Sequence, residues 1–172
     1  MKLLISIFLT MVVKGNNGSN LYLGLLCVFL VSAGCLNMRE PLQESEGDLV
    51  TGRIQYQKHC AACHQRDGLG SEGGGPPLVN SSWVRGPESR LIRIVLNGVR
   101  GPIEVNGSTY NREMIGFGQV LTDDQIASLV TYVRNQWGEF DGPVSAENVG
   151  RIRRETGGRT TYWAVDELLR IP

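Results

Sequence analysis

The sequence predicts one small all-α domain, broken by a small hairpin and followed by a helical C-terminal extension. Three observations carry that expectation. Gly52, Tyr56 and Cys60 recur at four-residue spacing, so one helical face runs into the pentapeptide Cys60-Ala61-Ala62-Cys63-His64. A later helix opens at Thr122 and carries the apolar stripe Ile126, Leu129, Val130, Val133 and Trp137. The length of 172 residues leaves room for one modest domain plus extensions.

Residues 1–34 read as a targeting segment rather than as fold. Two apolar runs, 3–13 and 21–33, flank a polar stretch beginning at Lys14, and neither reaches the ~20 residues needed to cross a bilayer as a helix. The second run ends in Ser32-Ala33-Gly34-Cys35, which resembles a bacterial lipobox with Cys35 as the lipidated first residue of the mature chain. Ser32 stands where that motif usually has leucine. An ordinary cleaved secretory signal and an uncleaved membrane anchor are the alternatives, and Met11 is a second possible start. All of these place the remainder outside the cytoplasm.

Basic and acidic residues balance at 17 each, which supplies no basic footprint for nucleic acid. Loss of residues 1–34 removes Lys2 and Lys14 and no acidic residue, leaving 15 basic against 17 acidic. Cys27 leaves with the leader, so Cys35, Cys60 and Cys63 are the mature cysteines.

Residues 35–47 are polar, with Pro41 and several glutamates, and read as a flexible tether. The first helix is expected near Asp48, with Gly52 allowing close approach of another helix and Tyr56 offering surface to bury. At its end, Cys60 and Cys63 lie one helical turn apart, with His64 adjacent. Two thiols so placed can add across the vinyl groups of a porphyrin, with the imidazole aimed at the iron: a c-type haem attachment site. A thioredoxin-like dithiol needs a βαβ setting, whereas these flanks are helical. A zinc site normally takes four protein ligands, and the only other histidine, His59, sits beside Cys60.

Residues 68–79 are glycine-rich and end in Gly75-Pro76-Pro77-Leu78. Gly68, Gly70 and Gly73 match G-x-G-x-x-G, but a dinucleotide site needs them between a strand and a helix. A short helix is predicted over 87–96, ended by Gly98 and Gly101-Pro102. Ile103, Val105, Asn106-Gly107, Thr109 and Tyr110 predict the hairpin, since Asn-Gly suits the two positive-φ positions of a type I′ turn. Thr122-Asp123-Asp124-Gln125 then forms a capping box with acids at the positive end of the dipole. The stripe that follows is the natural partner for the Gly52–Tyr56 face, and the helix runs to about Gly138.

Residues 141–172 exceed the needs of a minimal haem domain. Residues 145–156 predict a basic helix with Arg151, Arg153 and Arg154, read as a solvated face with docking of an acidic partner as the alternative. Residues 162–169 predict a further short helix.

The second iron ligand decides what such a haem does: a sixth protein ligand makes an electron carrier, an open position a small-molecule site. The methionines are Met1, Met11, Met38 and Met114. The first two fall in the leader and Met38 lies three residues from Cys35. Met114, 50 residues after His64 in a loop between hairpin and terminal helix, is the candidate, with core filling as its alternative role.

With Gly52, Tyr56, the pentapeptide, Gly75-Pro76-x-Leu78, Met114 and the final helix in place, residues 48–140 resemble a class I cytochrome c. The resemblance implies that the carbonyl of Pro76, or of the adjacent Pro77, accepts a hydrogen bond from the free nitrogen of His64. The run from Gly101 to Asn111, with Met114 and Thr122 to Ile126, is similar to cytochrome c domains that accept electrons from bacterial quinoprotein dehydrogenases. That similarity implies further haem contacts from Trp83, Arg93 and Tyr110. Two departures stand out: Ile115-Gly116 where the family has proline after its methionine, and Gln65 where it has glycine after the histidine.

The functional expectation is a monohaem carrier of single electrons, with one covalent haem c and axial ligands His64 and Met114. Its expected partners are redox proteins: a dehydrogenase, a quinol-oxidising complex or a terminal oxidase. Tethering through Cys35 would raise its effective concentration toward partners in the same membrane. The rivals are a peroxidase-like enzyme, disfavoured by the lack of a second histidine for distal acid–base work, and a ligand sensor in which Met114 yields to a gas. A third treats the haem as a fold staple and residues 141–172 as the functional part.

Overall fold

The computed structural model describes residues 41–139 and 142–172, with the backbone alone over 41–47. The expected leader, Met38 and Cys35 lie outside the described residues. Helix α1 (Pro41–His59) begins seven residues before Asp48, so much of the expected tether is helical. Pro41 suits a first turn, where a missing N–H costs nothing.

Helix α1 packs along α5 (Asp123–Trp137), the long helix at the far end of the haem domain. The pairing is close because Gly52 permits it. A Cβ there would lie 2.1 Å from the carbonyl oxygen of Ser128. One turn on, Tyr56 is 1% exposed and stacks at a tilt against Tyr132 and Trp137, with ring centroids 5.7 and 4.9 Å away. The Thr122 hydroxyl accepts from Gln125 N while the Gln125 side chain accepts from Thr122 N, the reciprocal cap that the sequence predicts.

Between these two helices lie α2 (Ala61–His64), α3 (Ser82–Arg85) and α4 (Glu88–Asn97). Leu91, Ile92, Val95 and Leu96 of α4 are all buried, as expected. The hairpin forms from β2 (Ile103–Val105) and β3 (Ser108–Tyr110), with φ of 51° at Asn106 and 79° at Gly107.

The all-α expectation needs correcting, because a second sheet is present. Strand β1 (Gly98–Arg100) lies between β4 (Met114–Ile115) and β5 (Trp163–Ala164). It pairs antiparallel with β4, Val99 opposite Met114, and parallel with β5, Val99 opposite Trp163. Met114 is therefore strand-borne rather than in a loop, and the helix expected over 162–169 is reduced to α7 (Val165–Leu169) preceded by β5.

The extension also departs from expectation. Helix α6 (Ala146–Glu155) buries Val149 and Ile152 fully against α4 and α5 instead of forming a wholly solvated face. Two of its three arginines are engaged: Arg151 pairs with Glu155, and Arg153 with Asp123 at 2.7 Å. Residues 142–172 thus pack into the same unit as the rest of the described chain.

Candidate haem site

The pentapeptide forms a tight helical corner. His64 N and Cys63 N both donate to the carbonyl of Cys60, at 3.0 and 3.1 Å, which places the two thiols and the imidazole around one turn. Cys60 is half-buried and Cys63 exposed, and they form no disulfide. Burial, with a smaller effect of Cys63, pushes the Cys60 thiol up to about 12. A dithiol redox centre of the thioredoxin kind needs a βαβ setting, whereas this pair lies where α1 passes into α2. Among the described residues no group of three or more His, Cys, Asp or Glu is disposed to hold a metal ion.

His64 is 8% exposed, and its Nδ1 lies 2.8 Å from the carbonyl oxygen of Pro76. A carbonyl can only accept, so Nδ1 carries the proton and Nε2 keeps its lone pair. Burial, opposed by the Pro76 bond, lowers the imidazole pKa, which favours the neutral ring. A neutral imidazole with one nitrogen fixed to a backbone carbonyl is the arrangement that metal-ligating histidines adopt. Of the two prolines the sequence leaves open, Pro76 is the one bonded. Gly68, Gly70 and Gly73 lie in the irregular segment directly after helix α2, where a dinucleotide fingerprint would need a strand.

These groups open onto a cleft of about 490 Å³, within the usual range for cofactor sites. Cys60, Cys63, His64, Pro76, Trp83, Tyr110 and Met114 all line it. Trp83 is fixed by a 3.0 Å bond from its Nε1 to the carbonyl of Glu104 and by the Arg90 guanidinium 4.8 Å from its ring. Most of the remaining wall is aliphatic, from Leu91, Ile94 and Val95 of α4, Val99 of β1, and Ile103 and Val105 of β2.

Arg93 is the exception among the expected contacts. It does not line the cleft; its guanidinium bonds the carbonyl of Ser89 and pairs with Glu155 of α6 at 2.8 Å. Sequence reasoning set His59 aside and missed Arg112, yet both reach the cleft. Adjacency to Cys60 argues against a part for His59 in the site, yet its ring stands 5.4 Å from Phe117, and its Nε2 is buried without a hydrogen-bond partner. Arg112 has no local signal: it is an exposed cation in the irregular link before β4.

The chain belongs to the cytochrome c family, whose model, Cytochrome c, matches residues 49–137. It is 36% identical over 103 residues to cytochrome c-552 of Thermus thermophilus, covering 55% of this chain and 78% of that protein. It is 35% identical over 117 residues to the fructose dehydrogenase cytochrome subunit of Gluconobacter japonicus, covering 63% of this chain and 22% of that subunit. A cbb3-type cytochrome c oxidase subunit of an Azospirillum species is 30% identical over 117 residues, covering 66% of this chain and 36% of its own length. The chain thus spans only a fraction of the dehydrogenase and oxidase subunits it matches. Family membership implies covalent haem c with iron, and the cleft fits it: two cysteines and a neutral, carbonyl-anchored histidine beside largely aliphatic walls. No helix among the described residues is long and apolar enough to cross a membrane.

Proposed function

We propose that the protein is a monohaem carrier of single electrons, with His64 and Met114 as its axial ligands and Cys60 and Cys63 as its covalent attachment points. When bound, haem c supplies a one-electron ferric–ferrous couple. Everything else falls to the chain. Pro76 fixes the His64 ring and strengthens it as a donor. The Met114 thioether favours the ferrous state relative to a second histidine. Aliphatic walls limit water, and Trp83 and Tyr110 add aromatic surface to the cleft.

The observation that carries this proposal is that one cleft gathers two cysteines, a carbonyl-anchored histidine and the sole methionine among the described residues. Names of relatives support redox partners of the dehydrogenase and oxidase kind. Export with lipidation of Cys35, on the motif Ser32 to Cys35, would hold the carrier at a membrane.

Optical spectra of the haem-loaded protein in both oxidation states, with and without carbon monoxide, test the ligand set. A low-spin ferrous spectrum indifferent to carbon monoxide is expected, and Met114→Ala should convert it to a ligand-binding form. High-spin iron or rapid carbon monoxide uptake in the unaltered protein would overturn the assignment and favour a sensor or enzyme. Mass spectrometry of the mature N-terminus tests Cys35: a diacylglycerol-bearing peptide starting there is expected, and an unmodified terminus elsewhere rules it out.

A further inference from the structure

We infer that residues 145–164 brace the Met114 strand, β5 from the far side of β1 and Arg153 through the turn that follows Met114, as positioning elements that stand in for the missing proline. The inference rests on Met114 as the second axial ligand. Strand β4 is only two residues long, and a bare two-stranded pair of this length is marginal. Its sole partner, β1, is the central strand and gains a second neighbour from β5, so the extension completes the sheet that carries Met114. Contacts lock this edge. Tyr162 packs against Gly98, opposite Ile115, where a Cβ would come within 2.8 Å of the ring. Arg159 lies 3.6 Å over the Trp163 ring and donates to the carbonyl of Tyr162 at 3.1 Å.

The chain leaving Met114 is pinned in turn. Gly116 lies so close to the end of α4 that a Cβ would be 2.5 Å from the carbonyl oxygen of Leu96. Phe117 N and Gly118 N donate to the carbonyls of Val95 and Leu96 at 2.8 and 3.0 Å. One guanidinium then gathers the next turn: Arg153 donates to the carbonyl of Gly118, to that of Leu121 at 2.9 Å and to Asp123 at 2.7 Å. Among the described residues none beyond 141 lines the cleft, so these groups act on the site only through the strand and the turn. A proline would stiffen the methionine's flank by its own ring. Here glycine allows close approach to α4, and the stiffness comes from a distant segment.

The test compares full-length, haem-loaded protein with two variants: Arg153→Met, which keeps the aliphatic stem, and a chain ended after Gly158, which removes β5 together with α7 and its buried Leu168. Carbon monoxide uptake by the ferrous form, the reduction potential and amide hydrogen exchange at residues 114–118 are read in each. Both variants should take up carbon monoxide at least about tenfold faster, because a looser strand raises the ligand-open fraction. They should also show a lower potential and faster exchange at 114–118, with exchange in α1 and α5 unchanged. If the chain ended after Gly158 does not fold, Arg153→Met decides alone. Lower thermal stability with unaltered potential, carbon monoxide refusal and local exchange would overturn the brace while leaving the ligand assignment intact. Unaltered protein that binds carbon monoxide as fast as Met114→Ala would overturn both.

Discussion

Gly52 and Pro76 show how much a single residue can settle. Gly52 has no room for a side chain: the overlap with Ser128 O is with backbone, which cannot rotate away. Gly52→Ala should therefore separate α1 from α5 and cost about 1–3 kcal/mol, the usual range for overpacking, read from the midpoint of denaturant unfolding. The four-residue spacing of Gly52 and Tyr56 makes this contact legible in the sequence itself. The Cys60, Cys63 and His64 cluster is legible for the same reason, since its chemistry lies within one turn. Pro76 against Pro77 is not. Which carbonyl meets Nδ1 depends on the path of the intervening loop, and both prolines offer the same acceptor. Arg93 marks the other limit, because its partner Glu155 lies 62 positions away and no local pattern announces it.

At the scale of elements, strength of local signal separates what the sequence foretells from what it does not. Helix α5 has a reciprocal cap and a continuous stripe, and it falls where the sequence places it. Thr122→Ala should cost ~1 kcal/mol by orphaning the Gln125 N–H, measurable by denaturant unfolding. Strands β1, β4 and β5 have two or three residues each, too few for a period of two to register. They exist because tertiary contacts align them. Their C-terminal support is sensitive to acid. The N–H of Ala164, then Arg159, holds the Glu167 carboxyl below its ordinary 4.5. A depressed carboxylate stabilises the fold above its unfolded pKa, and that contribution fades as pH falls through the folded value. Amide protection factors over 163–169, taken relative to the intrinsic exchange rate at each pH, should fall in that acid window, and Glu167→Gln should flatten the response.

For the whole molecule, the cleft is a seam between two apolar clusters. One runs from Tyr56 through α4 and α5 to Ile152, the other joins Trp83, Ile94, Val99, Ile103, Val105 and Leu168. Both contribute walls to the cleft, so a haem held covalently there would join them into one core. Replacing Cys60 and Cys63 together by serine should leave helical far-ultraviolet dichroism largely in place while near-ultraviolet dichroism and cooperative melting are lost, as in other states that keep helices without fixed packing. A fully cooperative, haem-free transition would show instead that the clusters are self-sufficient.

By itself, the sequence determined the grouping of Cys60, Cys63 and His64 on one turn, the pairing of the first and last helices of the haem domain and the hairpin, because each is written in residues adjacent along the chain or repeated at a helical or turn period. Only the tertiary structure decided that Met114 rides on a strand, that Pro76 rather than Pro77 anchors His64, and that the extension belongs to the same body. Those outcomes depend on backbone groups far apart in sequence meeting in space: Val99 lies between Met114 and Trp163, and the Arg153 guanidinium meets the carbonyls of Gly118 and Leu121. Hydrogen bonds of that kind draw on carbonyls and amides that almost every residue has. Their pattern leaves little trace in side-chain identity.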